Sequence, residues 1–275
     1  MRVQKKIAMI NDFSGFGRCS LMVSVPIISA MKVQCCALPT AILSNHTGYE
    51  DFFFDDYTDR MKEYYEKWER LGLSFDGIYT GFLGAEKQVG IVQDFIRRFA
   101  KENTVIIVDP VMGDNGSRYT TIDEGFCKEM RKLLPGADII TPNLTEACLL
   151  AGDSYLETGA DKTELTRLAD KLRKLGAKNI VITGIADGED ICDFIYTADK
   201  EAILLRQPCS GEAHAGTGDV FSSVIAADAV NGEDIVTSVK KAAAFVGKAI
   251  KLSHEMRIPT QEGVCFEELL CELAI

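Results

Sequence analysis

The chain has 275 residues, a hydrophobic fraction of 47%, a charged fraction of 26% and a formal net charge of −11. This ordinary composition excludes disordered and fibrous proteins, and the length allows one large α/β domain, which we predict for residues 1–275. The acidic charge and the lack of a Lys/Arg run predict that neither nucleic acid nor a membrane is a partner.

The nine cysteines form no Cys-x-x-Cys pair and most lie in apolar surroundings, which predicts buried, reduced thiols. The start, Met1–Ile10, is too short and too polar for a signal peptide, and no apolar run approaches the ~18 residues that span a bilayer. We therefore expect a cytoplasmic protein.

In chain order, strand-like and helix-like patterns alternate, which predicts a doubly wound, three-layer α/β/α sandwich with a mostly parallel sheet. The predicted strands are Lys6–Ile10, Val33–Pro39, Gly77–Thr80, Thr104–Val108, Ala137–Thr141, Asn179–Thr183, and a hairpin of Ile191–Tyr196 and Ala202–Arg206. The predicted helices are Leu21–Met31, Tyr57–Leu71, Glu86–Phe99, Asp123–Leu134, Leu165–Leu175, Thr217–Asn231 and Ile235–Leu252. Ligands of such folds bind along the edge where the strands end.

The first predicted turn, Asn11–Gly17, contains two glycines of the dinucleotide-binding fingerprint. The third glycine position holds Ser20, and Gln34-Cys35-Cys36 stands where an acid would hold a ribose, so we exclude that site. Ser14 still lies at a strand end, where α/β sheets bind ligands.

The stretch Leu43–Asp56 mixes hydrogen-bonding residues with three consecutive phenylalanines and has no clear period. This composition is typical of a flap over a flat ligand, although a packed surface loop is the alternative. A single histidine such as His46 is more often structural than catalytic, but the combination Ser44-Asn45-His46-Thr47 favours ligand contact.

Acidic residues follow two of the predicted strands. Asp109 ends the most β-branched strand, and Asp114 lies in the glycine-containing turn after it; they could hold Mg²⁺, or they could simply end the strand and shape the turn. Asn143 and Glu146 have the spacing of a helix-capping pair. Glu146 would point to the same edge as Asp109, so one carboxylate could cap a helix and hold a metal-bound water.

Gly216-Thr217-Gly218-Asp219 lies between a loop and the helix-like run from Val220. The glycines allow successive N–H groups to converge on an anion at the helix start, with Asp219 beside them as a base for a hydroxyl that attacks phosphate. The alternative is an ordinary turn in which Asp219 complements the helix dipole. The P-loop motif and the His-Arg-Asp and Asp-Phe-Gly motifs of protein kinases are absent from the sequence.

Four motifs in this order resemble those of the ribokinase-like superfamily: Asp109-Pro-Val-Met-Gly-Asp114, Thr141-Pro-Asn-Leu-Thr-Glu146-Ala, Val181-Ile-Thr183-Gly184 and Gly216-Thr-Gly-Asp219. Leu38-Pro-Thr40 and the segment Ser44–Thr47 resemble the ligand flap of pyridoxal kinases within it.

The resemblance implies ATP-dependent phosphorylation of the 5′-hydroxyl of pyridoxal, pyridoxine or pyridoxamine, with Mg²⁺, a monovalent cation such as K⁺ and a homodimer. It implies Asp219 as the base and Gly216, Thr217 and Gly218 as the anion hole. It also implies a metal site at Asp109 and Glu146, nucleotide contacts from Asp114, Tyr119, Thr141, Asn143, Thr183 and Gly218, and vitamin contacts from Ser14, His46, Thr47 and Tyr79.

Two other functions are considered. A hydroxymethylpyrimidine or sugar kinase would share the architecture, but hydroxymethylpyrimidine kinases often carry Cys at the place of Asp219, so the acid favours the pyridoxal kinases. A silent vitamin-binding protein would be free to lose Asp219 or Glu146, and both are present.

Overall fold

The computed structural model describes residues 4–156 and 161–274. The predicted domain boundaries, residues 1 and 275, lie outside these ranges. The chain divides into two compact units, Met1–Thr104 with Ser210–Ile275, and Val105–Cys209. The single domain therefore stays a prediction, and each unit is described by itself.

The strands and helices within the described residues alternate along the chain. The strands are β1 (Lys6–Phe16), β2 (Gln34–Asn45), β3 (Phe54–Asp56), β4 (Gly77–Thr80), β5 (Val105–Val108), β6 (Gly113–Asp114), β7 (Ser117–Arg118), β8 (Ile139–Ile140), β9 (Asn179–Asp187), β10 (Asp190–Tyr196) and β11 (Ala202–Pro208). The helices are α1 (Ser20–Ala30), α2 (Thr58–Arg70), α3 (Glu86–Phe99), α4 (Glu124–Met130), α5 (Leu144–Ala151), α6 (Lys162–Lys174), α7 (Thr217–Asn231) and α8 (Ile235–Glu255).

In the first unit the sheet order is β4-β1-β2-β3, with β1 parallel to β2 and β4, and β3 antiparallel at the edge. Helix α1 packs on β1 and β2 and also on α7, which in turn packs on α8. The predicted apolar stripe of α2 faces the core, because Met61 and Tyr65 are fully buried and the half-buried Trp68 ring packs at a tilt against the ring of Phe75.

In the second unit the order is β11-β10-β9-β8-β5, with β5, β8 and β9 parallel. The predicted hairpin of β10 and β11 is confirmed, and β10 is also antiparallel to β9. Short strands β6 and β7 pair around Asn115-Gly116, where both residues have positive φ. Asn-Gly is a common two-residue hairpin turn, so this signal was present in the sequence, although only a turn was predicted there.

The predicted end of β2 at Pro39 is wrong, because this strand continues to Asn45. Two further predicted strand ends are also wrong. The expected turn at Asn11–Gly17 continues β1 to Phe16, because it pairs with β2 as far as Asn45 through a register shift between Asn11 and Phe13. Strand β9 likewise passes the predicted stop at Gly184 and continues to Asp187, since β10 pairs along it. Cross-strand pairing outweighs local composition in both places.

All nine cysteines lie within the described residues and carry no disulfide, but only five are buried, while Cys209 and Cys271 are exposed. Every helix in residues 4–156 and 161–274 is too short or too polar to span a lipid bilayer.

Candidate active site

Asp219 lies in the first turn of α7, and both of its carboxylate oxygens accept hydrogen bonds. The side chain of Asn11 donates from Nδ2 to Oδ1 at 3.3 Å, and the backbone N–H of Ser20 donates to Oδ2 at 2.9 Å. Burial raises the pKa of Asp219 to about 6, the Ser20 N–H lowers it, and the charge of Asp12 raises it. A carboxylate with this pKa is mostly ionised at neutral pH and can accept a proton.

Gly216 precedes α7 in a left-handed conformation, with φ 73°. A Cβ at this position would lie 1.8 Å from the carbonyl oxygen of Arg18, so no other residue fits without moving the backbone. The backbone of Arg18 is therefore close to the start of α7. The first N–H groups of a helix have no acceptor inside it, so the amides of Thr217 and Gly218 fit the predicted anion hole.

A buried polar cluster lies beside Asp219. Asp12 accepts hydrogen bonds from the hydroxyl of Ser14 at 2.8 Å and from the hydroxyl of Ser20 at 2.5 Å. Ser14 is fully buried, so its hydroxyl, predicted to contact a vitamin ring, is already used within the protein. Sequence reasoning did not select Asn11, Asp12 or Ser20, because nothing local connects them to Asp219.

His46 joins the flap to the 3-10 turn Thr260–Glu262. Its Nδ1 accepts from the N–H of Gly48 at 3.1 Å, which places the ring proton on Nε2, 2.7 Å from the carbonyl oxygen of Gln261. The ring also packs against Gly17 and Gly48, where a Cβ would come within 2.9 Å of it. These contacts fit the structural interpretation of this histidine.

The other predicted vitamin contacts differ in exposure. Thr47 is exposed in the flap, and Tyr79 is fully buried in β4.

In the second unit, Asn143 and Glu146 form a complete capping box at the start of α5, which confirms the predicted pair. Oε2 of Glu146 accepts from the N–H of Asn143 at 2.9 Å, and Oε1 accepts from the N–H of Met112 at 3.0 Å. Burial raises the pKa of Glu146 to about 8, although the backbone N–H groups of Asn143, Met112 and Gly113 lower it.

The predicted nucleotide residues other than Gly218, which is in the first unit, lie in this unit together with the predicted metal ligand Asp109. Asp109 is buried after β5, and Thr141 is buried after β8. Asp114 and Tyr119 are exposed in and after the β6–β7 hairpin, and Thr183 is half-buried in β9. Asn143 and Thr183 form an isolated parallel bridge, and the side chain of Asn143 donates to the carbonyl oxygen of Gly113 at 2.8 Å. The structure thus brings Asn143, Glu146 and the hairpin together.

No group of three or more His, Cys, Asp or Glu side chains in the described ranges is arranged to hold a metal ion. Mg²⁺ commonly binds through only one or two carboxylates and takes its remaining ligands from water and phosphate. The hard oxygen donors of Asp109 and Glu146 therefore fit Mg²⁺.

We expect Glu146→Ala to raise the Mg²⁺ concentration that gives half the maximal rate, because a carboxylate that holds metal-bound water is lost. The variant should also lose roughly 0.5–2 kcal/mol of stability, since the helix cap is removed. Melting and a Mg²⁺ titration on one preparation measure both effects.

Asp123→Ala is the matched control, because Asp123 caps α4 by accepting from the N–H of Phe126 at 2.8 Å. It should lose stability without changing the Mg²⁺ titration. An unchanged titration in Glu146→Ala would leave that residue with the capping role alone.

A family model described as phosphomethylpyrimidine kinase matches residues 26–264. The chain belongs to this family. It is 32% identical over 188 residues to the hydroxymethylpyrimidine/phosphomethylpyrimidine kinase of Haemophilus influenzae, covering 66% of this chain and 67% of that protein. Membership identifies it as a small-molecule kinase of the group that contains hydroxymethylpyrimidine and pyridoxal kinases.

Two crystal structures are similar to this member of the phosphomethylpyrimidine kinase family. A Bacteroides thetaiotaomicron protein, provisionally assigned as a phosphomethylpyrimidine kinase and crystallised with pyridoxal, is 37% identical, with a TM-score of 0.94 and coverage of 99% of this chain and 96% of that chain. The pyridoxal kinase of Lactobacillus plantarum is 26% identical, with a TM-score of 0.91 and coverage of 98% and 97%. The predicted ribokinase-like α/β fold and the resemblance to pyridoxal kinases are confirmed.

Proposed function

We propose that the protein uses ATP to phosphorylate the 5′-hydroxymethyl group of pyridoxal, pyridoxine or pyridoxamine. The observation that carries this proposal is the ionisable carboxylate of Asp219, held by Asn11 and Ser20 in the first turn of α7. Among kinases of this group, an acid at that position favours a vitamin B6 substrate over hydroxymethylpyrimidine.

In the first unit, Asp219 accepts the proton of the hydroxymethyl group while the hydroxyl oxygen attacks the γ-phosphorus of ATP. The bond from that phosphorus to the bridging oxygen breaks, and ADP leaves. The amides of Gly216, Thr217 and Gly218 hold the charge of the transferring phosphoryl group.

In the second unit, the nucleotide is bound by Asn143, Thr141, Thr183, Asp114 and Tyr119. Asp109 and Glu146 would hold Mg²⁺, which would neutralise phosphate charge when bound. A monovalent cation near Thr141 and Thr183, a homodimer and a cytoplasmic location remain parts of this proposal.

Hydroxymethylpyrimidine is the second candidate substrate, because the Haemophilus influenzae relative is described as a hydroxymethylpyrimidine/phosphomethylpyrimidine kinase and the matching family model as a phosphomethylpyrimidine kinase. Rates of ADP formation with pyridoxal, pyridoxine, pyridoxamine, hydroxymethylpyrimidine and ribose, each with ATP and Mg²⁺, separate the candidates. The highest kcat/KM should be for a B6 vitamer. A higher value for hydroxymethylpyrimidine would reverse the assignment, and no turnover with any of them would favour a silent binding protein.

We expect amide exchange in the flap, Leu43–Asp56, to slow when pyridoxal is added, because a lid over a flat ring would exclude water from the reaction. Phe53 is 63% exposed, so its ring is available to cover a ligand. Hydrogen exchange with and without pyridoxal measures this.

Ribose is the control ligand and should protect the flap far less. Equal protection by both ligands, or full protection in the free protein, would argue against a vitamin-specific lid.

A further inference from the structure

Ser20 has an unusual backbone conformation for its residue type. Its φ is +54°, in the left-handed region that non-glycine residues rarely adopt, and it is 7% exposed. In this conformation its N–H points at Oδ2 of Asp219, at 2.9 Å. Its side chain donates from Oγ to Oδ1 of Asp12.

Asp12 is fixed on its other side as well. Its Oδ2 accepts from the hydroxyl of Ser14 at 2.8 Å, and its own N–H donates to Oδ1 of Asn11 at 3.0 Å. The side chain of Asn11 fits only because Gly81 has no Cβ, since a Cβ there would lie 2.5 Å from Asn11 Nδ2. Asn11 and Ser20, which donate the hydrogen bonds to Asp219, are therefore both hydrogen-bonded to Asp12.

We propose that Asp12 is a positioning residue for Asp219: by accepting from the Ser20 hydroxyl it holds Ser20 in its left-handed conformation, so that the Ser20 N–H stays aimed at Asp219. This inference rests on the proposed function, in which Asp219 is the base. In this arrangement Ser14 fixes Asp12, Asp12 fixes Ser20, and Ser20 fixes Asp219. The proposal gives the buried carboxylate of Asp12 a role that the capping box and the anion-hole motif do not explain.

The charges around Asp12 fit this role. Burial raises the pKa of Asp12, while the Ser20 and Ser14 hydroxyls, its own N–H and the nearby His46 lower it. Burial also raises the pKa of the neighbouring Cys19 thiol to about 12, so this thiol is neutral. The remaining acid of the cluster is Asp219 on α7, whose pKa the Asp12 charge raises.

The test compares alanine and glycine at position 20. Asp12→Ala and Ser20→Ala remove the hydroxyl–carboxylate contact and leave a side chain that disfavours positive φ, so we expect kcat to fall roughly 10- to 100-fold with little change in the KM for ATP. Ser20→Gly also lacks the hydroxyl, but glycine adopts this conformation at no steric cost. The double variant Asp12→Ala/Ser20→Gly should recover roughly tenfold or more of the activity that Asp12→Ala loses.

A structural measurement does not depend on turnover. The residue-20 amide proton shift, followed by NMR against pH, should report the titration of Asp219 in the wild type and in Asp12→Ala/Ser20→Gly, and should lose that response in Asp12→Ala. The double variant Asp12→Ala/Asp219→Asn lacks the Asp219 carboxylate. Any pH response that its residue-20 amide still shows therefore comes from another group.

Asp228→Ala is the matched control, since Asp228 is equally buried on α7 and pairs with Lys241 at 2.7 Å, outside this cluster. It should lower the melting temperature without the loss of kcat and without changing the residue-20 amide titration. A similar loss of kcat in Asp228→Ala would show that general destabilisation accounts for the effect, and would overturn the proposal.

The inference is also overturned if Asp12→Ala keeps the amide response, or if glycine at position 20 rescues nothing. If the wild type phosphorylates none of the substrates, the proposed function fails, and the amide titration still decides whether Asp12 positions Ser20 against Asp219.

Discussion

Asp219→Asn is expected to lower kcat by roughly 10²–10⁴, the usual contribution of a positioned general base, while the melting temperature and ATP binding stay near those of the wild type. The amide has nearly the same shape and can keep its oxygen toward the Ser20 N–H, which donates at 2.9 Å in the wild type. It cannot accept the proton of the substrate hydroxyl. Steady-state kinetics with pyridoxal, together with ATP binding by calorimetry, measure the two effects.

The pH dependence provides an independent check of the same carboxylate. Because the base must be ionised, and the pKa of Asp219 is raised to about 6, kcat/KM should fall as the pH decreases through that value. This acid limb should vanish from the residual activity of Asp219→Asn. Activity within a few-fold of the wild type in that variant would mean that the carboxylate only complements the helix dipole.

Gly216→Ala is expected to reduce the free energy of unfolding by about 2–5 kcal/mol, the combined cost of a left-handed alanine and of a steric overlap. The new Cβ would lie 1.8 Å from the Arg18 carbonyl oxygen. The oxygen belongs to the backbone, and the Cβ position is fixed by the backbone of residue 216, so neither atom can rotate away. Urea unfolding, with the slope checked for an unchanged two-state transition, measures the loss.

Gly232→Ala separates the two contributions. Gly232 ends the same helix with φ 89°, but a Cβ there would meet nothing within 4 Å. This variant should lose only the conformational part, about 1–2 kcal/mol. An equal loss in both variants would show that the close approach of Arg18 to Gly216 contributes nothing.

The sequence by itself determined the features that depend on near neighbours. Helices α3 and α7 and strand β4 have the predicted boundaries, because their hydrophobic patterns and flanking residues are local signals. The capping box of Asn143 and Glu146 was predictable for the same reason, since its partners are three residues apart. The sequence motifs identified the acidic residues as candidates, but they did not predict the hydrogen bonds that these residues form.

The tertiary structure alone decided how the candidate base is held. Asn11 and Ser20 reach Asp219 across 208 and 199 positions of the chain, and no local pattern encodes such a contact. The same applies to β1, where the turn-like composition after Ile10 gave way to pairing with β2. Hydrogen bonds to a distant strand or helix stabilise a segment in a conformation that its own residues do not prefer, so Ser20 is left-handed and Asn11 is extended only in the folded protein.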